Sequence, residues 1–274
     1  MPEDIRLASI HVYPMKAARA VDLGESLVEP WGLAGDRRWM LADEDGRFVS
    51  QREEPALARV SVILGKNGVG VTFSAPCVPR CQVAIPAGAE MLKVSVWGTS
   101  FVASGAGPEA DRWFSAYLGR PVRLVYLDDP ARRPVDPGYA RPGDTVSFAD
   151  GFPLLLTSAG SLGELGGWLA GAGEQPVPMT RFRPNVVVAG APPWAEDRWR
   201  LIRIGAVPFR VVKPCGRCVV TTTDQVTGER GRQPLRMLAQ RRRLGRELVF
   251  GQNLIPDAGG VIRVGDPVEI VAAA

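Results

Sequence analysis

The chain is written in short strand-like runs, each cut off by glycine or proline, and this punctuation restricts it to a mainly β architecture. Glycine occurs 31 times and proline 24 times in 274 residues. "LASIHVYPM", "RRWMLADEDGRFVS", "ARVSVILGKNGVGVTFS", "LKVSVWGTSFVAS", "RPNVVVAG", "WRLIRIGAVPFRVVK" and "GVIRVGDPVEIV" carry the alternation of half-buried antiparallel strands. "GKNG" at 65–68 predicts a tight hairpin turn, because Asn-Gly readily takes the positive φ angles such a turn needs. Three segments follow helical spacing instead: "GPEADRWFSAYLG", "TSAGSLGELGGWLA" and "PLRMLAQRRRLG". The expected fold class is therefore mainly β (α+β), barrel or sandwich, with a few short helices.

Domains average about 150 residues, so the length favours two units. The stretch "RPVRLVYLDDPARRPVDPGYARPGDTVSF", dense in proline and charge, reads as a joint or long surface loop and places the boundary near residue 120. The expected units are 1–120 and 121–274. No fixed-period repeat is present, which argues against two barrels made by duplication.

Composition removes several function classes. With 46% hydrophobic and 23% charged residues the chain is an ordinary globular one. A net charge of +4, spread among 29 acidic residues, is too mild to demand nucleic acid. The run Arg241–Arg242–Arg243 reads as a solvated helix end. The longest apolar runs, Pro153–Leu156 and Val186–Val188, fall far short of a membrane span, and the acidic start "MPEDIRLASI" is not a targeting segment. A cytoplasmic protein with reduced thiols is expected. The single histidine, His11, argues against His-based metal sites and Ser-His-Asp catalysis and reads as structural.

Four cysteines remain to be explained, and two of them lie in "VVKPCGRCVVTTTDQVTGER", Val211–Arg230. As a redox dithiol, Cys215 and Cys218 would belong at the start of a helix, where a helix N-terminus lowers the thiol pKa; the β-branched run that follows disfavours helix. As half of a zinc site they would pair with Cys77 and Cys81 of "CVPRC", but the spacing is not a knuckle repeat and the halves fall in different expected units. A cofactor-free barrel holding such a zinc stays open on these residues alone. The third reading uses one thiolate: Arg217 beside it and Thr221, Thr222, Thr223 and Asp224 after it make a polar, electropositive edge that favours ionisation and anion binding. A soft thiolate can also ligate a transition metal carried by an organic cofactor.

At these residues the chain resembles the MOSC superfamily, named for the C-terminal domain of molybdenum cofactor sulfurases, and within it the amidoxime-reducing-component branch with an N-terminal β-barrel domain. The resemblance runs through "YPMK" (13–16), "GLAGDRRWM" (32–40), "FADGFPLLLTSAGSL" (148–162), "RFRPNVVV" (181–188), "KPCGRCVVTTTDQVTGE" (213–229), "FGQN" (250–253) and "VGDPVE" (264–269). It implies an N-terminal β-barrel-like domain followed by a MOSC β-barrel domain, and an enzyme carrying Mo-molybdopterin. It further implies that Cys218 ligates molybdenum and that Asp150 lies at the metal's open face. Lys16, Arg37, Arg183, Asn185 and Arg217 would hold the cofactor, whose phosphate suits guanidinium and ammonium donors. The sequence departs from the pattern after "YPMK", where Ala17, Ala18, Arg19 and Ala20 stand in place of a hydroxyl or glycine; Arg19 is the candidate replacement contact.

The activity so implied is reduction of N-hydroxylated compounds such as amidoximes, hydroxylamines and N-hydroxy bases, with Asp150 delivering a proton. No G-x-G-x-x-G fingerprint opens a helix, so electrons would come from a separate ferredoxin- or cytochrome-type carrier with its flavin reductase. The competing function is a carrier that holds the cofactor, or a persulfide on Cys218, for another protein. Asp150 and the "FRPN" pair discriminate, since a persulfide carrier has no use for them.

Overall fold

In the computed structural model, which describes residues 4–65, 69–88 and 90–274, the chain is mainly β, with helices α1 (Pro108–Leu118), α2 (Ala159–Gly171) and α3 (Leu235–Arg241). A nine-stranded sheet forms the larger part. Its order is Val268–Ala273, Trp199–Ile204, Val207–Gly216, Glu247–Pro256, Leu154–Ser158, Val186–Ala189, Arg6–Val12 and Val21–Leu23, with Arg243–Leu244 pairing off this path. Leu154–Ser158 and Val186–Ala189 are parallel, and α2 supplies the crossover that a parallel pair requires. Among the described residues, none of the four sheets closes on itself.

The two ends of the sequence are interleaved. Arg6–Val12 buries Leu7, Ile10 and Val12 among Val186, Val188, Ile202, Phe209 and Leu254 of the second half. Glu25–Glu29 likewise pairs with Gly260–Arg263. The rest of the first half builds a four-stranded sheet (Trp39–Ala42, Arg123–Tyr126, Thr99–Gly105, Met91–Val96) and a three-stranded one (Ser61–Leu64, Gly70–Ser74, Cys81–Ala84). Against them α1 lays Ala110 and Phe114, beside Trp39, Phe73 and Leu124. Each such fully buried large side chain contributes roughly 1.5–3 kcal/mol. The helix is bounded as its sequence dictates, by Pro108 in the first turn and by Gly119 at φ 68°.

Turn residues 66–68 of "GKNG" lie outside the described residues; the strands flanking them pair antiparallel. The stretch from 120 is not one surface loop, because "RLVY" at 123–126 is a central strand with Leu124 and Val125 wholly buried. Helix α3 ends at Arg241, before the basic run is over: Arg242 turns to pair with Asp197 at 2.6 Å and lies 4.0 Å over the Trp194 ring, so only Arg241 and Arg243 are solvated. His11 bridges Ser9 (2.8 Å) and Asp22 (2.6 Å), the connectivity of a catalytic triad; the bridge ties two neighbouring strands together, and none of its members lines the cleft described below.

Candidate functional site

A cleft opens between the two halves, and every residue singled out from the motifs, Lys16, Arg37, Asp150, Arg183, Asn185, Arg217 and Cys218, lines it. The motif glycines explain part of the placement. Gly251, at φ 79°, brings its strand so close that an added Cβ would lie 2.5 Å from the Leu156 carbonyl oxygen. Gly32, at φ 130°, approaches the Pro153 carbonyl oxygen to 2.7 Å on the same measure, fixing the turn that follows Asp150.

The "YPMK" and "GDRR" segments are locked by Asp36, which is fully buried. It accepts from the Tyr13 backbone N–H at 2.7 Å and from Arg37 at 2.5 Å. Burial pushes its carboxyl up, against the pull of Arg37. Arg37 also donates to Asn185 Oδ1 (2.7 Å) and to the Arg183 carbonyl (3.2 Å). Tyr13 is sandwiched: the Arg37 and Arg183 guanidinium groups lie 4.2 and 4.3 Å from its ring centre. Asn185 spends its amide internally, accepting also from the Leu155 N–H (3.2 Å) and donating to the His11 carbonyl (3.1 Å). It organises the wall of the cleft.

Lys16 is buried, and its ammonium donates to the Phe148 carbonyl (2.9 Å) and to Asp150 (2.5 Å). Desolvation lowers Lys16 to about 8 against the attraction of Asp150. For Asp150, desolvation works to raise the pKa, but Lys16 and then Arg52 outweigh it and hold the carboxyl well below the usual carboxylate range. Burial likewise lowers Arg183 to about 10.

At the opposite wall, Val219–Thr222 form a single 3-10 turn rather than a strand or an α-helix. The hydroxyls of Thr221 and Thr222 bond back to the carbonyls of Cys218 (2.9 Å) and Val219 (2.7 Å). Arg217 donates to Cys215 Sγ at 2.8 Å and to the Phe182 carbonyl at 2.5 Å, leaving its buried Nε without a partner. Cys77 is exposed and Cys81 is packed in the first-half core, while Cys215 and Cys218 line the cleft; among the described residues no group of three or more His, Cys, Asp or Glu could hold a metal ion unaided.

Sequence reasoning missed three residues. Arg52 donates to Cys218 Sγ at 3.1 Å. Trp97 sends its indole N–H to Asp150 at 3.4 Å. Arg133, from the Pro-rich stretch, is buried and donates to the carbonyls of Ser147, Ala149 and Asp150, holding the loop that presents the carboxylate. Only Arg133 left a trace, as a cation inside a segment taken for a surface loop. Arg19, the candidate replacement contact, donates instead to the Gln225 carbonyl (3.0 and 2.9 Å) and braces the two halves.

Five cations, Lys16, Arg37, Arg52, Arg183 and Arg217, line the cleft against one carboxylate, Asp150. Two of them are desolvated strongly enough to lose proton affinity, so an anion placed among them would regain what burial took away. Two thiols, Cys215 and Cys218, complete the donor set.

The chain belongs to the MOSC superfamily: residues 4–121 match the MOSC N-terminal beta barrel domain and 143–269 the MOSC domain. Within it the chain falls in the amidoxime-reducing-component branch. It is 32% identical to mitochondrial amidoxime-reducing component 1 of Homo sapiens, over 97% of this chain and 82% of that protein. Mitochondrial amidoxime-reducing component 1 of Xenopus laevis is 31% identical, over 96% of this chain and 81% of that protein. Molybdenum cofactor sulfurase of Oryza sativa subsp. japonica is 28% identical, over 90% of this chain but only 32% of that longer protein. Among the described residues, no helix is long and apolar enough to cross a membrane.

Proposed function

We propose that this chain is a molybdenum cofactor-dependent oxidoreductase that reduces N-hydroxylated compounds with electrons from a separate redox protein. The observation that carries the reading is the cleft's donor set: five cations and one carboxylate, Asp150, line the same cleft as the thiols of Cys215 and Cys218, of which Cys218 is the proposed ligand. An anionic pterin dithiolene fits this set. The cations compensate its phosphate, the unpartnered Arg217 Nε is free to take one more acceptor, and Cys218 offers the soft ligand that molybdenum accepts. The names of the relatives point the same way.

When bound, the cofactor supplies a metal able to exchange two electrons with an N–OH group. The N–O bond breaks, two electrons and two protons enter, and the N–H compound and water leave. Asp150 accepts a hydrogen bond from the substrate and orients it. Its carboxyl carries no proton near neutral pH, so Lys16, 2.5 Å away and titrating near 8, is the better proton source, which moves that role from the carboxylate expected to fill it. Arg133 keeps the Asp150 loop in place, and Asn185 holds Arg37.

Protein made in a host competent for molybdopterin synthesis tests the reading. It should reduce benzamidoxime with dithionite and not with NADH alone, and a flavin reductase with a ferredoxin- or cytochrome-type carrier should restore NADH dependence. Full molybdenum loading without N–OH reduction under dithionite would sink the reductase and favour a cofactor or sulfur carrier.

A further inference from the structure

The hairpin between Met91–Val96 and Thr99–Gly105 turns on only two residues, Trp97 and Gly98, both at positive φ (51° and 84°). Such turns call for Asn-Gly; a bulky aromatic in the first place is strained. Burial does not explain it, since Trp97 is 54% exposed. What the indole does instead is stand at the rim, outside the cleft lining, against two residues that do line it. Its N–H points to Asp150 at 3.4 Å, the Arg52 guanidinium lies 4.4 Å from its ring centre, and Phe48 meets it edge-on at 5.0 Å. Arg52 is the residue that touches Cys218 Sγ. The exposed indole is thus tied to the two groups that flank the reacting position, and strain kept at such a place is characteristic of functional sites.

From this we infer that Trp97 is a specificity-determining residue at the rim of the cleft, selecting flat π-conjugated N-hydroxy compounds over small saturated ones; the inference rests on the N–OH reading above. Lys16 and the indole N–H both meet Asp150 at Oδ1, so a substrate presenting its N–OH to the other oxygen of that carboxylate lies close to the indole. An aryl or heteroaryl ring conjugated to the reacting nitrogen can pack against the exposed part of the indole. A substrate without a ring makes the same polar contacts and gains nothing from Trp97.

Benzamidoxime and acetamidoxime share the reacting group and differ in the ring. With dithionite as reductant, Trp97→Ala should lower kcat/KM for benzamidoxime about tenfold and change that for acetamidoxime less than about twofold. Trp97→Phe should retain most of the preference. Trp97→Asn suits the turn, so it should raise Tm while showing the same selective loss, which separates folding from recognition. Equal losses for the two substrates, or none for either, would overturn the inference. A second readout needs no turnover: benzamidoxime should quench indole fluorescence of the holoenzyme, and Trp97→Phe should abolish the quench. If wild-type protein reduces neither substrate, the N–OH reading fails, and the quench still decides the role of Trp97; a quench that survives in Trp97→Phe counts against it.

Discussion

Arg52 donates to the sulfur of Cys218 across 3.1 Å, though 166 positions separate them in the sequence. The first half of the chain thereby places a cation against a cleft-lining thiol of the second half, and the Trp97 ring backs that cation. The cleft is a product of both halves.

Removal of that cation tests the point. Arg52→Ala should lower cofactor occupancy about tenfold, since a charge-assisted contact is worth roughly 1.5–3 kcal/mol, and Arg183→Ala should do the same. Arg243→Ala, in the basic run and solvated, should leave occupancy unchanged. Arg242 is the wrong control, because its pairing with Asp197 makes it structural. Molybdenum per chain, measured after dialysis, reads the outcome; equal losses in all three variants would mean a general charge effect.

Lys16 makes cofactor retention depend on pH. In the cofactor-free site it titrates near 8, so raising the pH through that value removes a positive charge from the cleft and retention should fall. Stability moves the other way. The folded-state pKa lies below the value of 10.5 in the free side chain, so between about 8 and 10.5 the unfolded chain binds more protons, and this group's contribution to stability rises with pH. Lys16→Arg, which does not titrate there, should flatten the retention profile; an unchanged profile would remove Lys16 from the account.

Asp36 carries the frame of the site. Asp36→Ala leaves the Arg37 guanidinium buried beside an empty place and the Tyr13 N–H unsatisfied, a loss of about 3–5 kcal/mol. Asp36→Asn keeps an acceptor and should cost less. Urea unfolding of the cofactor-free protein measures both, and a loss below about 1 kcal/mol in Asp36→Ala would show that the cluster is not structural.

Strands with one wet face were legible in the sequence because alternation encodes a single buried side. Leu154–Ser158, buried at every position, shows no alternation, and "RLVY" was hidden by the prolines around it. The site divides on similar lines. Lys16, Arg37, Asp150, Arg183, Asn185, Arg217 and Cys218 sit in local motifs and meet in one cleft. Nothing local marks Arg52 in "SQREEP" or Trp97 in a hairpin, because their meaning is a contact across the two halves. The internal role of Asn185 was equally invisible, since its partners His11, Arg37 and Leu155 lie in three separate segments.

The central claim is that Cys218, and not its neighbour Cys215, holds molybdenum. Molybdenum per chain should approach one atom in wild type and stay there in Cys215→Ser, while Cys218→Ala, with unchanged circular dichroism and unfolding midpoint, should lose benzamidoxime reduction and the protein's own sulfur from the molybdenum shell seen by X-ray absorption, leaving only the sulfurs of the dithiolene. Loss of a sulfur from that shell in Cys215→Ser, or an undiminished sulfur shell in Cys218→Ala, would contradict the account.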